Sequence, residues 1–154
     1  MIILADLNKH NFPTTPEIDE NLNDLCGRLN VFLEKYSLPV GVNSGLRNAE
    51  LQAQVNPKAP NSNHLVGRAA DIHDEGNNLM NFVLENMELA KGLDLFFEHF
   101  NFTPTWVHIQ IVSPRSGHRI FIPNPGPPLC TRWNGVYDTV YDLTLMEIHE
   151  RLAQ

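Results

Sequence analysis

The sequence predicts an α+β domain in which helices flank a small antiparallel sheet. Three observations lead there. Amphipathic helical stretches and short β-branched or aromatic runs are mixed without the regular strand-helix-strand alternation of a parallel fold. Two of the apolar runs, residues 93–97 and 106–112, are joined by a turn at 101–105 carrying Pro104, which suits an antiparallel hairpin. The length of 154 residues fits one domain, and a chain of this size buries about 70% of its unfolded surface without disulfide or metal staples.

In chain order, residues 2–4 form a short apolar run that reads as an edge strand. A helix begins at Pro16, since Thr15 can cap it and proline suits the first helical position. Leu22, Leu25, Cys26, Leu29, Phe32, Leu33 and Tyr36 then recur at steps of three and four, giving one apolar face. Ser37, Leu38 and Pro39 end it. Residues 40–44 read as a strand broken by Gly45, followed by a short helix to Val55 with Asn48 as its cap. Residues 56–63 are a polar loop with Pro57 and Pro60, and 68–73 are a second strand. A second amphipathic helix runs from Asn78 to about Leu89, with Leu79, Phe82, Val83 and Met87 apolar and Gly92 as its stop. After the hairpin, 119–122 suggest one more strand, 123–128 a proline-rich wrapping segment, and 140–152 a closing helix with Leu143, Met146 and Leu152 as its stripe. The expectation is a single domain over 1–154, with its core motifs in 42–111 and a C-terminal extension, 123–154, packed on it.

Composition narrows the function. The formal charge of −7 argues against nucleic acid as a partner, because phosphate binding needs a basic face. No apolar run reaches the ~18 residues of a membrane span. The first residues, Met-Ile-Ile-Leu-Ala-Asp, lack the basic and long apolar regions of a signal peptide, so synthesis in a cytoplasm is expected. Cys26 and Cys130 fit no disulfide or metal framework and read as two unrelated thiols, Cys26 as a small hydrophobe on its helix.

The chemistry gathers around residues 62–73, which hold His64, Asp71 and His73, and around His108 downstream. His108 alternates with apolar neighbours on its strand and shares a face with Trp106 and Gln110. Two imidazoles and one carboxylate, His64, Asp71 and His108, suit a borderline divalent ion, zinc first. Three protein ligands leave a fourth position for water, the arrangement of a catalytic site. Gly67 lets the backbone bend between the first two ligands. His73 is two residues from Asp71 on the same strand face, a rival ligand or a group orienting Asp71. His10, His118 and His149 have no motif around them and read as surface residues. Trp106 reads as core or cleft wall, and Trp133, Tyr137 and Tyr141 as core, cleft edge or partner surface.

Ser62-x-His64-x-x-Gly67-x-Ala69-x-Asp71 resembles the Ser-x-His-x-x-Gly-x-Ala-x-Asp signature of the zinc D-Ala-D-Ala carboxypeptidase family. That family includes phage endolysins that cut L-alanyl-D-glutamate bonds and belongs to the lysostaphin, D-Ala-D-Ala peptidase and hedgehog fold group. Trp106-Val107-His108 resembles its later Trp-x-His element. Ser44-Gly45-Leu46-Arg47-Asn48 resembles its Ser-Gly-Tyr-Arg-Ser stretch, with Leu46 in place of tyrosine. The three motifs occur in order and cover residues 42–111. The resemblance implies His64, Asp71 and His108 as zinc ligands on the sheet. It implies that Arg47 faces the pocket to hold a substrate carboxylate or an oxyanion, for which its fork of donors is suited. Ser62 bonds within its loop or to substrate, and Gln110 shares the His108 face and can contact substrate.

The general base departs from the family pattern. Many relatives carry an acid three residues before the last histidine, where this chain has Thr105, which cannot act as a base. Glu98 is the nearest candidate and resembles the carboxylate of an Asp-Gln-Leu-Ile-x-Glu element in another branch. In an antiparallel hairpin it can lie opposite His108, whereas His99 points to the other face. The resemblance thus implies a zinc peptidase acting on peptidoglycan stem peptides, as a D-Ala-D-Ala carboxypeptidase or an L-alanyl-D-glutamate endopeptidase. It further implies a phage lysis enzyme reaching the wall through a holin, or a virion-borne one. Thr105 and the proline-rich stretch motivate an alternative, a non-catalytic virion or tail protein that keeps the fold and metal and docks other virion proteins. A metal-dependent oxygenase is a weaker option, because its His-x-Asp spacing is not matched by His64 and Asp71.

Overall fold

The computed structural model describes residues 1–115 and 117–121, together with two short strands at Arg132–Trp133 and Val136–Tyr137. The expected helix at 140–152, the wrapping segment, Cys130, Tyr141 and His149 lie outside the described residues.

Five strands form one sheet: β1 (Val42–Ser44), β2 (Ala69–His73), β3 (Phe96–Glu98), β4 (Trp106–Gln110) and β5 (Ile120–Phe121), in the order β1-β2-β4-β3-β5. The expected antiparallel sheet is found with one exception, β5, which runs parallel to β3. The chain returns to the sheet after β4 through the turn at Pro114 to Gly117, where the Gly117 amide donates to the Pro114 carbonyl at 2.9 Å. Two further strands, β6 (Arg132–Trp133) and β7 (Val136–Tyr137), pair antiparallel with each other.

The long helix, α2 (Pro16–Phe32), follows a four-residue first helix, α1 (Leu4–Leu7). Thr15 Oγ accepts the Ile18 amide at 3.3 Å, as its capping position predicts. Leu22, Leu25, Leu29 and Phe32 are buried on the sheet side, where Phe32 meets Phe97 of β3 with ring centroids 5.9 Å apart. The expected strand at residues 2–4 is corrected here. The Ile2 amide and carbonyl bond instead to the Asn30 side chain, both at 2.8 Å, and Asp6 Oδ2 accepts the Ile3 amide at 2.9 Å. Side chains of helix residues thus satisfy the backbone groups that a strand would have needed to pair.

The single helix expected from Asn78 to about Leu89 is two, α4 (Asn78–Glu85) and α5 (Met87–Gly92). Asn86 breaks it by turning its side-chain amide back onto the Phe82 carbonyl at 2.8 Å. The strand expected at 93–97 begins later, at Phe96, because residues 93–95 close the end of α5. Asp94 adopts a left-handed φ of 49°, and the Leu95 amide reaches the Ala90 carbonyl at 3.0 Å. Asp74, a buried carboxylate, accepts the Leu79 and Met80 amides at 2.8 and 2.9 Å and so satisfies the start of α4. The core is the layer between these helices and the sheet, including Leu25, Leu29, Ile72, Val83, Leu95, Phe97 and Ile109.

Candidate metal centre

The site is built on the central pair of strands. Asp71 on β2 lies across from His108 on β4 at the middle of their register, and α3 (Ala49–Val55) and a one-turn helix over Asn63–Val66 supply the other groups. Ser62 Oγ accepts the His64 amide at 3.3 Å and opens that turn. Gly67 closes it with φ 72°, a left-handed conformation that suits glycine, and a Cβ there would also press on Leu22 at 2.9 Å. The turn drives the His64 side chain inward, where it is almost wholly buried.

The two imidazoles are oriented from behind. His64 Nδ1 donates to the Gly45 carbonyl at 2.7 Å, which leaves Nε2 to face Asp71 Oδ1 at 3.4 Å. Gly45 can offer that carbonyl only because it has no side chain, since a Cβ would stand 2.1 Å from the Leu7 carbonyl oxygen of α1. His108 turns Nε2 to the Gln110 amide oxygen at 3.3 Å and Nδ1 to Asp71 Oδ1 at 2.8 Å. The oxygen of Gln110 is identified by its neighbours: Gln110 Nε2 donates to the Val112 carbonyl at 2.6 Å, and Asn63 donates to the oxygen at 3.1 Å. The rings of His64 and His108 meet edge to face at 5.2 Å. One ligand atom each from His64, Asp71 and His108 lies within 4.8 Å of the others. Two imidazole nitrogens, which offer lone pairs once deprotonated, and a carboxylate oxygen, each with its orientation set by an outer hydrogen bond, form a donor set fitted to a divalent ion such as zinc.

Asp71 divides its carboxylate. Oδ1 faces the histidines, and Oδ2 accepts from Arg47 Nη2 at 2.7 Å. Arg47 is buried and held on each of its three nitrogens: besides the Nη2 bond to Asp71, Nε donates to Ser44 Oγ at 2.8 Å and Nη1 to the Gln52 side-chain oxygen at 3.1 Å. Burial works against charge on Asp71, but the hydrogen bonds from His108 and His64 outweigh it and hold the carboxyl well below its usual range. Burial pushes the His64 imidazole down. It also acts on His108, yet the bond to Asp71 and the charges of Asp71 and Glu98 lift that imidazole above its ordinary value.

Glu98 ends β3. Phe96 pairs with Gln110 and Phe97 with Ile109, so the next step of the ladder sets Glu98 across from His108, as the hairpin reading expects. It is half-buried and lines the same cleft as Arg47, His64, Asp71 and His108, and burial raises its carboxyl above the ordinary glutamate value. The cleft measures about 680 Å³ and is also lined by Ser62, Gln110 and Trp106. Thr105 is exposed and does not line it. His99 points away, buried beside Phe102. His73 is turned out to solvent, 3.8 Å from Glu75, so it does not orient Asp71 as the sequence suggested. As the last residue of β2, it is exposed although it shares a strand face with Asp71. His10 and His118 line no part of the cleft.

A family model for Peptidase M15 matches residues 3–110, more than half of the chain. The chain belongs to the Peptidase M15 family. No curated protein and no solved structure gives a significant match. The matched span holds every M15 candidate described above, from Arg47 through His64, Asp71 and Glu98 to His108 and Gln110, and it supports a metallopeptidase of α+β fold. Among the described residues no helix is long and apolar enough to cross a membrane. What sequence reasoning missed in this M15 site is its supporting layer: the Gly45 carbonyl, Gln52 and Asn63. A backbone carbonyl leaves no mark in sequence. Gln52 leaves a faint one, as a polar residue on the buried side of a short helix.

Proposed function

We propose that the protein is a zinc-dependent peptidase that hydrolyses peptidoglycan stem peptides, as a D-Ala-D-Ala carboxypeptidase or an L-alanyl-D-glutamate endopeptidase. The observation that carries this reading is the convergence of His64, Asp71 and His108 at the floor of a cleft that Glu98 also lines. His64 through Nε2, Asp71 through Oδ1 and His108 through Nδ1 would hold the ion. When bound, it supplies a Lewis acid that polarises the scissile carbonyl and lowers the pKa of a water to about 7.

The remaining chemistry belongs to the chain. Glu98 takes the proton from the attacking water and returns it to the leaving amine. Its burial supports this role, because a raised carboxyl is matched to proton transfer nearer neutral pH. Arg47 uses one N–H on each of its three nitrogens internally. One N–H remains on each terminal nitrogen for a substrate carboxylate or the oxyanion. Ser62 and Gln110 contact the peptide from the cleft walls. As part of the same proposal, the enzyme serves a phage, at lysis or within the virion, and acts at the cell wall. What supports that setting is the likeness of its motifs to those of phage endopeptidases.

The test is hydrolysis of purified muropeptides, followed by mass spectrometry, with metal content measured on the same sample. Cleavage that a chelator abolishes and zinc restores is the expected result. Zinc bound stoichiometrically with no muropeptide cleaved would favour the second reading, a structural virion component. Thr105, at the position where many relatives carry an acid, is the observation behind that alternative.

A further inference from the structure

The lip of the cleft carries a cation that the peptidase reading does not use. Asn56, Pro57, Lys58 and Ala59 form a β-turn closed by the Ala59 amide on the Asn56 carbonyl at 3.1 Å. Pro57 stands at the turn position where its fixed φ is favoured, and Lys58 follows at the apex. This turn is pinned from beneath. Gln52, almost wholly buried, donates its side-chain amide to the carbonyls at both ends, Asn56 at 3.1 Å and Ala59 at 3.0 Å. The same side chain accepts from Arg47, which in turn donates to Asp71. An unbroken chain of hydrogen bonds thus ties the backbone that bears Lys58 to the metal-site carboxylate.

Lys58 itself is exposed and lines the cleft. Four other cations among the described residues are paired: Arg28 with Asp24, Arg68 with Glu17, Lys91 with Glu88, and Arg47 with Asp71. No hydrogen bond or ion pair engages the Lys58 ammonium among the described residues. Arg47 is neutralised by Asp71, and Glu98 adds a further negative charge to the cleft. A net charge of −7 makes the chain as a whole repel an acidic peptide. Lys58 is the cleft-lining group that offsets this.

We propose that Lys58 is a specificity-determining residue that binds a carboxylate of the peptide substrate, presented by a turn that Gln52 holds in register with the metal site. This rests on the peptidase reading above. In a stem peptide with lysine at its third position, the form synthesised for the test, the carboxylate has two sources, the C-terminal carboxylate and the free carboxylate of the D-glutamyl residue, and the ligand chemistry is the same for both.

The experiment compares wild type, Lys58→Ala, Lys58→Glu and Lys58→Arg on a synthetic stem pentapeptide. The peptide is used as the free acid, with its C-terminus amidated, and with its glutamyl carboxylate amidated. For an exposed charge pair the expected rise in KM is about fivefold in Lys58→Ala. It should be larger in Lys58→Glu, absent in Lys58→Arg, and leave kcat unchanged throughout. The amidated peptide on which wild type and Lys58→Ala become equal identifies the source. Lys35→Glu, a surface charge change away from the cleft, controls for the general field. Equal KM for wild type and Lys58→Glu on the free acid overturns the proposal, as does an equal rise in Lys35→Glu. If wild type cleaves none of the peptides, the peptidase reading fails separately. Peptide affinity measured by titration calorimetry then decides on Lys58: a weaker Kd in Lys58→Glu upholds the contact, and an unchanged Kd removes it.

Discussion

Arg47 and Asp71 form a buried ion pair in which the guanidinium takes one carboxylate oxygen at 2.7 Å and leaves the other to the two histidines. The pair is therefore an orienting device. It fixes the plane of the Asp71 carboxylate so that Oδ1 faces His64 Nε2 and His108 Nδ1. Removing one partner of such a pair leaves a buried charge uncompensated, at a cost of about 3–5 kcal/mol. Arg47→Ala is expected to lose stability of that order in urea unfolding of the metal-free protein. Arg47→Lys should recover only part, because a point charge cannot satisfy Ser44, Gln52 and Asp71 together.

Acid should unfold the metal-free protein early. The folded-state pKa of Asp71 is depressed, so its stabilisation is present above the ordinary carboxylate value of about 3.9 and is lost as pH falls below it towards the folded value. His64, also depressed, loses its contribution as pH falls below about 6.5. His108 has the opposite sign. Its pKa is raised, so its contribution is full below about 6.5 and fades as pH rises through the folded value. In Asp71→Asn the decline below about pH 4 should flatten, and chemical denaturation at several pH values measures it.

Metal binding should compete with protons at His108. The ion needs the Nδ1 lone pair, and the bond to Asp71 favours a proton there. Zinc affinity, followed by competition with a chromophoric chelator, is expected to rise with pH across the His108 titration. At a free-metal excess of about 100-fold over Kd, bound zinc should add about 2.7 kcal/mol to unfolding stability. No change in Tm on chelation would count against a site at these three residues.

Glu98→Gln separates binding from chemistry. It keeps the shape and removes the base, so kcat should fall by about 10²–10⁴ while zinc content and KM stay near wild type. Thr105→Asp is the complementary experiment. Thr105 does not line the cleft, so an acid placed there should not rescue Glu98→Gln. Full activity in Glu98→Gln would overturn the assignment.

Gly45→Ala tests the layer behind the ligands. Its Cβ would meet the Leu7 carbonyl at 2.1 Å, so the strand must shift and carry the carbonyl that holds His64 away with it. A loss of about 1–3 kcal/mol is expected from the overpacking, together with weaker zinc binding in the same chelator competition.

Much of this was legible in the sequence because the ligands sit in a short motif with its own geometric demands. Gly67 supplies a left-handed turn and Asp71 enters a strand directly after it, while the choice of His64, Asp71 and His108 as the ligand set comes from the likeness of the motifs to the zinc carboxypeptidase signature rather than from spacing alone. Glu98 was legible through period-two alternation on a hairpin, although the strand that bears it starts three residues later than its apolar run. His73 was misplaced by that same alternation, which gives a face but not a depth: at the end of β2 it is beyond the cover of neighbouring elements. Residues 2–4 read as a strand because the pairing of the Ile2 backbone with the Asn30 side chain is invisible until α2 is packed beside it. Arg47 was legible as a pocket residue. Its commitment to Asp71 depends on α3 bringing Gln52 beneath it, which no local pattern encodes.

The pairing of β2 with β4 joins Asp71 to a histidine 37 positions later in the chain. Until β4 docks on β2, His108 is not beside His64 and Asp71, so the three-residue cluster does not exist. If these residues hold the ion, its capture would report that the central strand pair has closed. A stopped-flow refolding trace with a zinc indicator is then expected to lag behind helix formation, because the β2–β4 pairing is a long-range contact.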